Sequence, residues 1–188
     1  MPLSFPSTNT PNLILTGFMG TGKSTLGRLL AHMLGFRFCD TDKIIQQKTG
    51  REIPEIFATD GEAAFRDLER QCVAEWLPDG KSVISTGGGI VTIPGIAAAL
   101  RSRGVVVALF ASPEVILKRT GTGKNRPLLQ TDGDRLEHIR TLLAARERAY
   151  MDSGINVFTD GRSLNELGAI IERIYKREVR ARSRIGKR

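Results

Sequence analysis

The chain has little cysteine, few aromatic residues and no long apolar run. Its 188 residues include only two cysteines, Cys39 and Cys72, which lie far apart and outside any CxxC pattern. This favours a reducing cytoplasm over a disulfide framework. No stretch approaches the roughly 18 apolar residues of a membrane-spanning helix, so no membrane partner is expected. The length predicts one domain with a sizeable core.

Positive charge is concentrated at the end of the sequence. The net charge is +8, and residues 176–188 contribute +6 of it through seven Lys or Arg and one Glu. Only +2 remains for the rest, so the excess belongs to a basic C-terminal tail that is expected to be solvated and mobile. Residues 1–11 are rich in Pro, Ser and Thr and lack Lys and Arg. They are expected to form a flexible tail and not a signal peptide.

The most informative stretch is residues 12–25. A short apolar run, Leu13 to Leu15, precedes a match to GxxxxGK[ST], and an amphipathic helix is predicted to follow. This is the strand, loop and helix order of a P-loop. Its backbone N–H groups and the helix N-terminus would cradle a polyphosphate. Lys23 would reach the β- and γ-phosphates, and Ser24 would ligate magnesium. The residues expected to bind nucleotide here are Gly20, Thr21, Gly22, Lys23, Ser24 and Thr25.

Apolar periodicity predicts strands that alternate with helices along the rest of the chain. Further strands are expected at 36–39, 82–85, 105–110 and 155–158, and helices at 43–78 (about three), 94–103, from 113, 134–151 and 163–175. This alternation indicates an α/β fold with a parallel, doubly wound sheet and ligands at the carboxyl ends of its strands. A long polar segment at 120–134 contains glycine and is expected to be functional or disordered.

Two carboxylates follow the second predicted strand. Asp40 and Asp42 are the best candidates for a magnesium ligand, because neither 82–85 nor 105–110 ends on an acid. One of the pair could serve the metal while the other faces an acceptor hydroxyl. Alternatively, either residue alone could cap the helix that follows.

Two features could recognise the acceptor. Arg66 and Glu69 share a helix face, and their spacing equally favours a surface ion pair or a fork for a substrate carboxylate. Gly87, Gly88 and Gly89 follow a strand and would present backbone N–H groups to a ligand.

Three arginines are harder to assign. Arg126 precedes a proline in the polar segment and could neutralise the transferring phosphoryl group, or be a solvated loop residue. Arg146 and Arg148 lie in one predicted helix, and the sequence alone barely ranks them.

Taken together, these motifs resemble the shikimate kinase family. The matching stretches are Gly-Phe-Met-Gly-Thr-Gly-Lys-Ser-Thr at 17–25, Asp-Thr-Asp at 40–42, Phe-Arg-Asp-Leu-Glu at 65–69, Gly-Gly-Gly at 87–89 and Arg-Pro-Leu-Leu at 126–129. The resemblance implies a P-loop fold like that of nucleoside monophosphate kinases, with a five-stranded parallel sheet flanked by helices. It also implies one kinase domain at 12–175, with a substrate-binding helical insert at about 43–72 and a mobile lid at about 120–134.

The same resemblance implies phosphorylation of the 3-hydroxyl of shikimate by ATP, with Mg²⁺, in aromatic amino-acid biosynthesis. Lys23, Asp42 and Arg126 would be catalytic, with Asp42 orienting or deprotonating the hydroxyl, and Ser24 and Asp40 would hold the metal. The family pattern selects Arg148 over Arg146 as a carboxylate-binding arginine. The implied substrate-binding residues are Asp42, Arg66, Glu69, Gly87, Gly88, Gly89 and Arg148; Arg119, Arg126 and Arg162 would contact the nucleotide.

Two other functions stay open at this point. A kinase for another small acid, such as gluconate, would share the P-loop but has no stated need for the triple glycine. A nucleotide-responsive module could bind nucleic acid through the basic tail, although Asp40, Asp42 and Arg126 together argue against an inactive site. The tail is an extension that the family does not require. A monomer is expected, because no apolar surface stripe is evident.

Overall fold

A computed structural model describes residues 10–121 and 133–185 of the chain. Five parallel strands form one sheet in the order β2-β3-β1-β4-β5. The strands are β1 (Asn12–Gly17), β2 (Arg37–Asp40), β3 (Ser82–Ser85), β4 (Gly104–Phe110) and β5 (Ile155–Phe158). The predicted α/β class with a five-stranded parallel sheet is therefore confirmed. Strand β1 lies at the centre, between β3 and β4.

Helices cover both faces of the sheet. They are α1 (Lys23–Leu34), α2 (Thr41–Thr49), α3 (Ile53–Gln71), α4 (Ile96–Arg103), α5 (Pro113–Thr120), α6 (Arg135–Met151) and α7 (Leu164–Ile185). Side chains alternate between the faces along a strand, so Ile14 joins the apolar cluster under α2 to α6, while Leu13 and Leu15 join the cluster under α1 and α7. Both clusters are closed to water, which explains why β1 and β4 are largely apolar.

The region between β2 and β3 is helical, as predicted. Helix α2 ends at Thr49 and is capped by Gly50, and Pro54 lies in the first turn of α3. Helix α3 is broken at Gly61, whose φ of 81° and ψ of 177° are not helical, and a π-helical turn over Cys72–Trp76 follows it. The second arm of α3 carries Arg66 and Glu69 towards the sheet.

Helix α7 is longer than the sequence predicts. The periodicity predicts an end near Tyr175, yet the helix continues to Ile185. The predicted boundary is wrong because the extension has packing partners: Val179 contacts the apolar cluster under α1, and Arg182 donates to the Gly104 carbonyl at 3.3 Å. Residues 176–185 are thus part of a docked helix, with Arg180 among the residues on its exposed side. No helix within the described ranges is long and apolar enough to span a membrane.

Candidate active site

Parallel strands bring three groups of residues to one edge of the sheet. The P-loop follows β1, Asp40 ends β2, and the triple glycine follows β3. At Gly17, φ is 135° and an added side chain would collide with the Leu109 carbonyl, so the loop can start its turn only with glycine. The sheet thus brings these three groups together, as the sequence predicts.

Lys23 is folded over the P-loop. Its Nζ donates to the carbonyl oxygens of Gly17 at 2.7 Å and Phe18 at 2.9 Å. The hydroxyl of Thr21 donates to the Phe18 carbonyl at 2.8 Å, which tightens the same turn. A buried ammonium held by carbonyl dipoles is well placed to exchange them for anionic phosphate oxygens. The exposed first turn of α1, with Ser24 and Thr25, continues from this loop.

Oxygen donors cluster where α1 meets β2 and β3. The Ser24 hydroxyl lies 3.3 Å from Asp40 Oδ2 and 3.2 Å from the Ser85 hydroxyl. Hydroxyl and carboxylate oxygens, completed by water and phosphate, are the ligands that Mg²⁺ prefers, so these residues fit the metal. Asp40 Oδ1 also accepts from the Asp42 backbone N–H at 3.1 Å. Asp40 therefore caps α2 with one oxygen and faces Ser24 with the other.

Asp42 points away from this cluster towards the triple glycine. Its Oδ1 is buried and has no hydrogen-bond partner among the described residues. Burial, followed by the negative charge of Asp40, raises the pKa of Asp42, while Lys23 and Arg66 oppose the shift. An unpaired buried carboxylate oxygen costs free energy unless a ligand donates to it. Asp42 is thus prepared to accept a hydrogen bond from a bound hydroxyl.

Arg66 and Glu69 form a buried ion pair. Arg66 Nη1 lies 2.6 Å from Glu69 Oε2, and the Glu69 side chain is only 1% exposed. Arg66 also contacts the exposed Glu62 at 2.7 Å. Burial raises the pKa of Glu69 to about 7, and the Arg66 charge offsets this only in part. The surface ion pair left open by the sequence is excluded, because this pair lies inside the crevice.

The triple glycine leaves room for these side chains. A Cβ atom at Gly87 would lie 2.8 Å from Glu69 Oε1 and 3.0 Å from Asp42 Oδ1, and one at Gly89 would lie 2.8 Å from both terminal nitrogens of Arg66. Such distances are too short for unbonded atoms. A side chain at either position would displace these charged groups, so glycine allows them to approach the backbone closely.

The arginine choice on α6 is contradicted by the structure. Arg148 has a 97% exposed side chain and lies 3.7 Å from Asp152, away from the crevice. Arg146 instead lies over the Phe18 ring of the P-loop, 6.0 Å from its centroid, and its Nη1 is buried without a hydrogen-bond partner among the described residues. Two residues along a helix correspond to a rotation of about 200°, so only one of the two arginines can face the site.

Of the remaining predicted nucleotide residues, one lies beside the P-loop, one follows β5 and one falls outside the described ranges. Arg119 donates to the Thr159 hydroxyl at 3.0 Å and to the Gly20 carbonyl at 3.4 Å, behind the P-loop. Arg162 donates to the Phe158 carbonyl at 3.3 Å, just after β5. Arg126 falls outside the residues that the structure describes.

Sequence reasoning missed two residues of this crevice, Ser85 and Tyr150, and it ranked Arg146 below Arg148. A helical-phase signal was available for Arg146, which lies seven residues after the buried Ile139 and four before the buried Tyr150. Positions at these spacings share one helix face. Ser85 gave no such signal, because a serine ending a strand has many possible roles.

The chain is similar to known proteins over most of its length. A family model described as shikimate kinase matches residues 19–177. The shikimate kinase of Geobacter metallireducens is 46% identical over 169 residues, which cover 90% of this chain and 93% of that protein. A shikimate kinase of Thermus thermophilus is 47% identical over 164 residues, covering 86% and 89%.

A solved structure shows the same similarity. The shikimate kinase of Acinetobacter baumannii, determined in complex with shikimate, has a TM-score of 0.82 and 38% sequence identity, covering 90% of this chain and 96% of that one. The range matched by the family model includes Lys23, Arg66 and Arg146.

Proposed function

Because the chain belongs to the shikimate kinase family, we propose that it transfers the terminal phosphoryl group of ATP to the 3-hydroxyl of shikimate. The observation that carries this proposal is the pairing of a P-loop with a crevice for a hydroxylated acid. Asp42 offers a hydrogen-bond acceptor, and Arg66 and Arg146 offer planar cations to a carboxylate. A polyol acid that does not reach these groups would leave Asp42 Oδ1 and Arg146 Nη1 unpaired.

Positioning and electrostatics supply most of the catalysis. The substrate hydroxyl oxygen forms a bond to the γ-phosphorus as the bond from that phosphorus to the β–γ bridging oxygen breaks, in line with it. Asp42 orients the hydroxyl and takes up its proton at Oδ1, for which its raised pKa is suited. Lys23 exchanges its carbonyl partners for phosphate oxygens and stabilises the charge that develops on them.

The metal and nucleotide roles are part of the same proposal. Ser24 and Asp40 would hold Mg²⁺, which, when bound, neutralises charge on the phosphates. Residues 20–25 would wrap the phosphates, and Arg119 and Arg162 would contact the rest of the nucleotide. Arg126 is proposed to act on the transferring group, on its motif alone.

The proposal also covers the domain organisation, the oligomeric state and the cellular location of the protein. A single kinase domain would use helices α2 and α3 for acceptor binding, with the 120–134 segment as a lid. A monomer in the cytoplasm is proposed, which the free thiols of Cys39 and Cys72 suit.

The test is release of ADP by the full chain with Mg²⁺·ATP and a panel of acceptors. Shikimate should give turnover, whereas gluconate and nucleoside monophosphates should give rates no higher than ATP alone. Equal or faster turnover with gluconate would replace the proposed acceptor and favour the small-acid alternative. No turnover with any acceptor would favour the nucleotide-responsive module.

A further inference from the structure

A buried tyrosine, Tyr150, has no role in the reaction described above. It connects two parts of the crevice, the triple glycine and Arg146. Tyr150 lies in the last turn of α6, is 2% exposed, and its hydroxyl donates to the Gly88 carbonyl. The guanidinium of Arg146, one helical turn earlier, interacts with the same hydroxyl oxygen. One hydroxyl thus contacts both the triple glycine and the arginine that faces the P-loop.

The aromatic ring fixes where this hydroxyl lies. It packs edge-to-face on Phe110 at the carboxyl end of β4, with centroids 6.4 Å apart and planes at 88°. Burial raises the pKa of Tyr150 to about 12, so the hydroxyl stays a neutral donor across the working pH range. A donor on a ring held by the sheet has little freedom to reorient.

The bond to Gly88 sets the direction of the next backbone N–H. The Gly88–Gly89 peptide is trans, so holding the Gly88 carbonyl towards Tyr150 points the Gly89 N–H the opposite way. Gly89 packs against the Arg66 guanidinium, and Gly88 lies against the Met19 backbone of the P-loop. Rotation of this peptide would therefore disturb the acceptor surface and leave the partly buried Gly88 carbonyl without its donor.

We propose that Tyr150 is a positioning residue for the acceptor: its hydroxyl locks the Gly88–Gly89 peptide and the Arg146 guanidinium so that both serve one bound carboxylated alcohol. This inference rests on the proposed function. Tyr150 touches Arg146 and Gly88, and it acts through them.

The chain offers a closely matched control in Tyr175. Its ring packs edge-to-face on Phe36, with centroids 5.8 Å apart, and its hydroxyl donates to the Pro11 carbonyl at 2.6 Å. Burial raises the pKa of Tyr175 to about 12 as well. Tyr150→Phe and Tyr175→Phe thus remove the same kind of bond and keep the same kind of ring contact. Only the first touches the crevice.

The experiment compares KM values and melting temperatures for the two variants. Tyr150→Phe should raise KM for shikimate roughly tenfold, the factor expected for about 1.4 kcal/mol, and leave KM for ATP within about twofold. Tyr175→Phe should leave both KM values unchanged, while both variants lower the melting temperature by similar amounts. In an Arg146→Gln background, Tyr150→Phe should raise KM much less than in the wild type, because the two residues act together.

Three results would overturn the inference. An unchanged KM for shikimate in Tyr150→Phe means that the hydroxyl is only structural, as does an equal rise in both KM values. If KM for shikimate rises as much in Tyr175→Phe as in Tyr150→Phe, the rise is explained by lost stability and not by positioning. If the wild type turns over shikimate and any of these occurs, the positioning role alone fails; without wild-type turnover, both proposals fail.

Discussion

The two sides of the crevice are built differently. The donor side comes from nine consecutive residues, 17–25, whose backbone turns around Lys23. The acceptor side comes from side chains of α2, α3 and α6, brought against one glycine loop. Phosphate recognition needs only local backbone geometry, whereas recognition of a small acid needs charged groups in fixed positions. Substitutions in the P-loop should therefore change kcat most, and those of the acceptor-side arginines should change KM for the acceptor.

The largest expected effect is on the donor side. Lys23→Ala should lower kcat by at least about a thousandfold, roughly 4 kcal/mol, because the charge that stabilises the transferring phosphoryl group is lost. ADP release under saturating shikimate and ATP measures it. Lys48→Ala, which removes an exposed lysine of α2, is the control and should keep wild-type kcat. A Lys23→Ala enzyme with wild-type turnover would contradict the P-loop assignment.

The next effect separates the two arginines of α6. Arg146→Gln should raise KM for shikimate by about 10- to 100-fold, the range expected for loss of a charged hydrogen bond. Arg148→Gln changes a solvent-exposed residue and should leave both KM values within about twofold. Steady-state kinetics of Arg146→Gln and Arg148→Gln isolates the effect of position, because both variants lose one positive charge from the same helix. The reverse ranking would mean that α6 presents the other face to the substrate.

The last expected effect is on stability and its pH dependence rather than on catalysis. The folded-state pKa of Glu69 is raised to about 7 from 4.5, so the folded state keeps a proton that the unfolded state releases. Its contribution to stability is complete below about pH 4.5 and is lost as the pH rises towards 7. The free energy of unfolding should therefore fall by about 2 to 3 kcal/mol from this group over that window.

Glu69→Gln cannot titrate and should remove that part of the pH dependence. Urea unfolding of the wild type and Glu69→Gln between pH 5 and 8 measures the difference between their slopes. Parallel curves would show that Glu69 stays ionised beside Arg66, and that the ion pair outweighs burial.

The sequence predicts correctly those features that consecutive residues determine. It predicts wrongly those features that depend on packing between distant parts of the chain. The P-loop and the sheet follow from short apolar runs and glycine spacing, which are written in consecutive residues. Motif position favours Arg148 as the arginine that faces the crevice. The buried Ile139 and Tyr150 show which face of α6 is turned inward, and Arg146 lies on that face. The end of α7 is misjudged from sequence because a basic composition is typical of tails, while Val179 packs on the core.

Burial of Glu69 could not be predicted for a related reason. The spacing of Arg66 and Glu69 is the same in a surface pair and in a buried pair. What distinguishes them is the absence of side chains at Gly87 and Gly89, which lie on a loop that the chain forms after α3. Charge pairs whose neighbours are distant in sequence give no local sign of their burial.

The central position of β1 has a consequence for the order in which the protein can form during synthesis. The strand leaves the ribosome early, yet it pairs with β3 and β4, so Leu15 lies beside Ser85 and Gly17 beside Leu109. Until residue 109 has been made, the nascent chain lacks the part of β4 whose backbone packs against Gly17. A nucleotide-binding loop encoded in nine residues thus becomes functional only after more than half of the chain has been translated. Such distant pairings are slow to form, and they leave β1 exposed to other strands in the meantime.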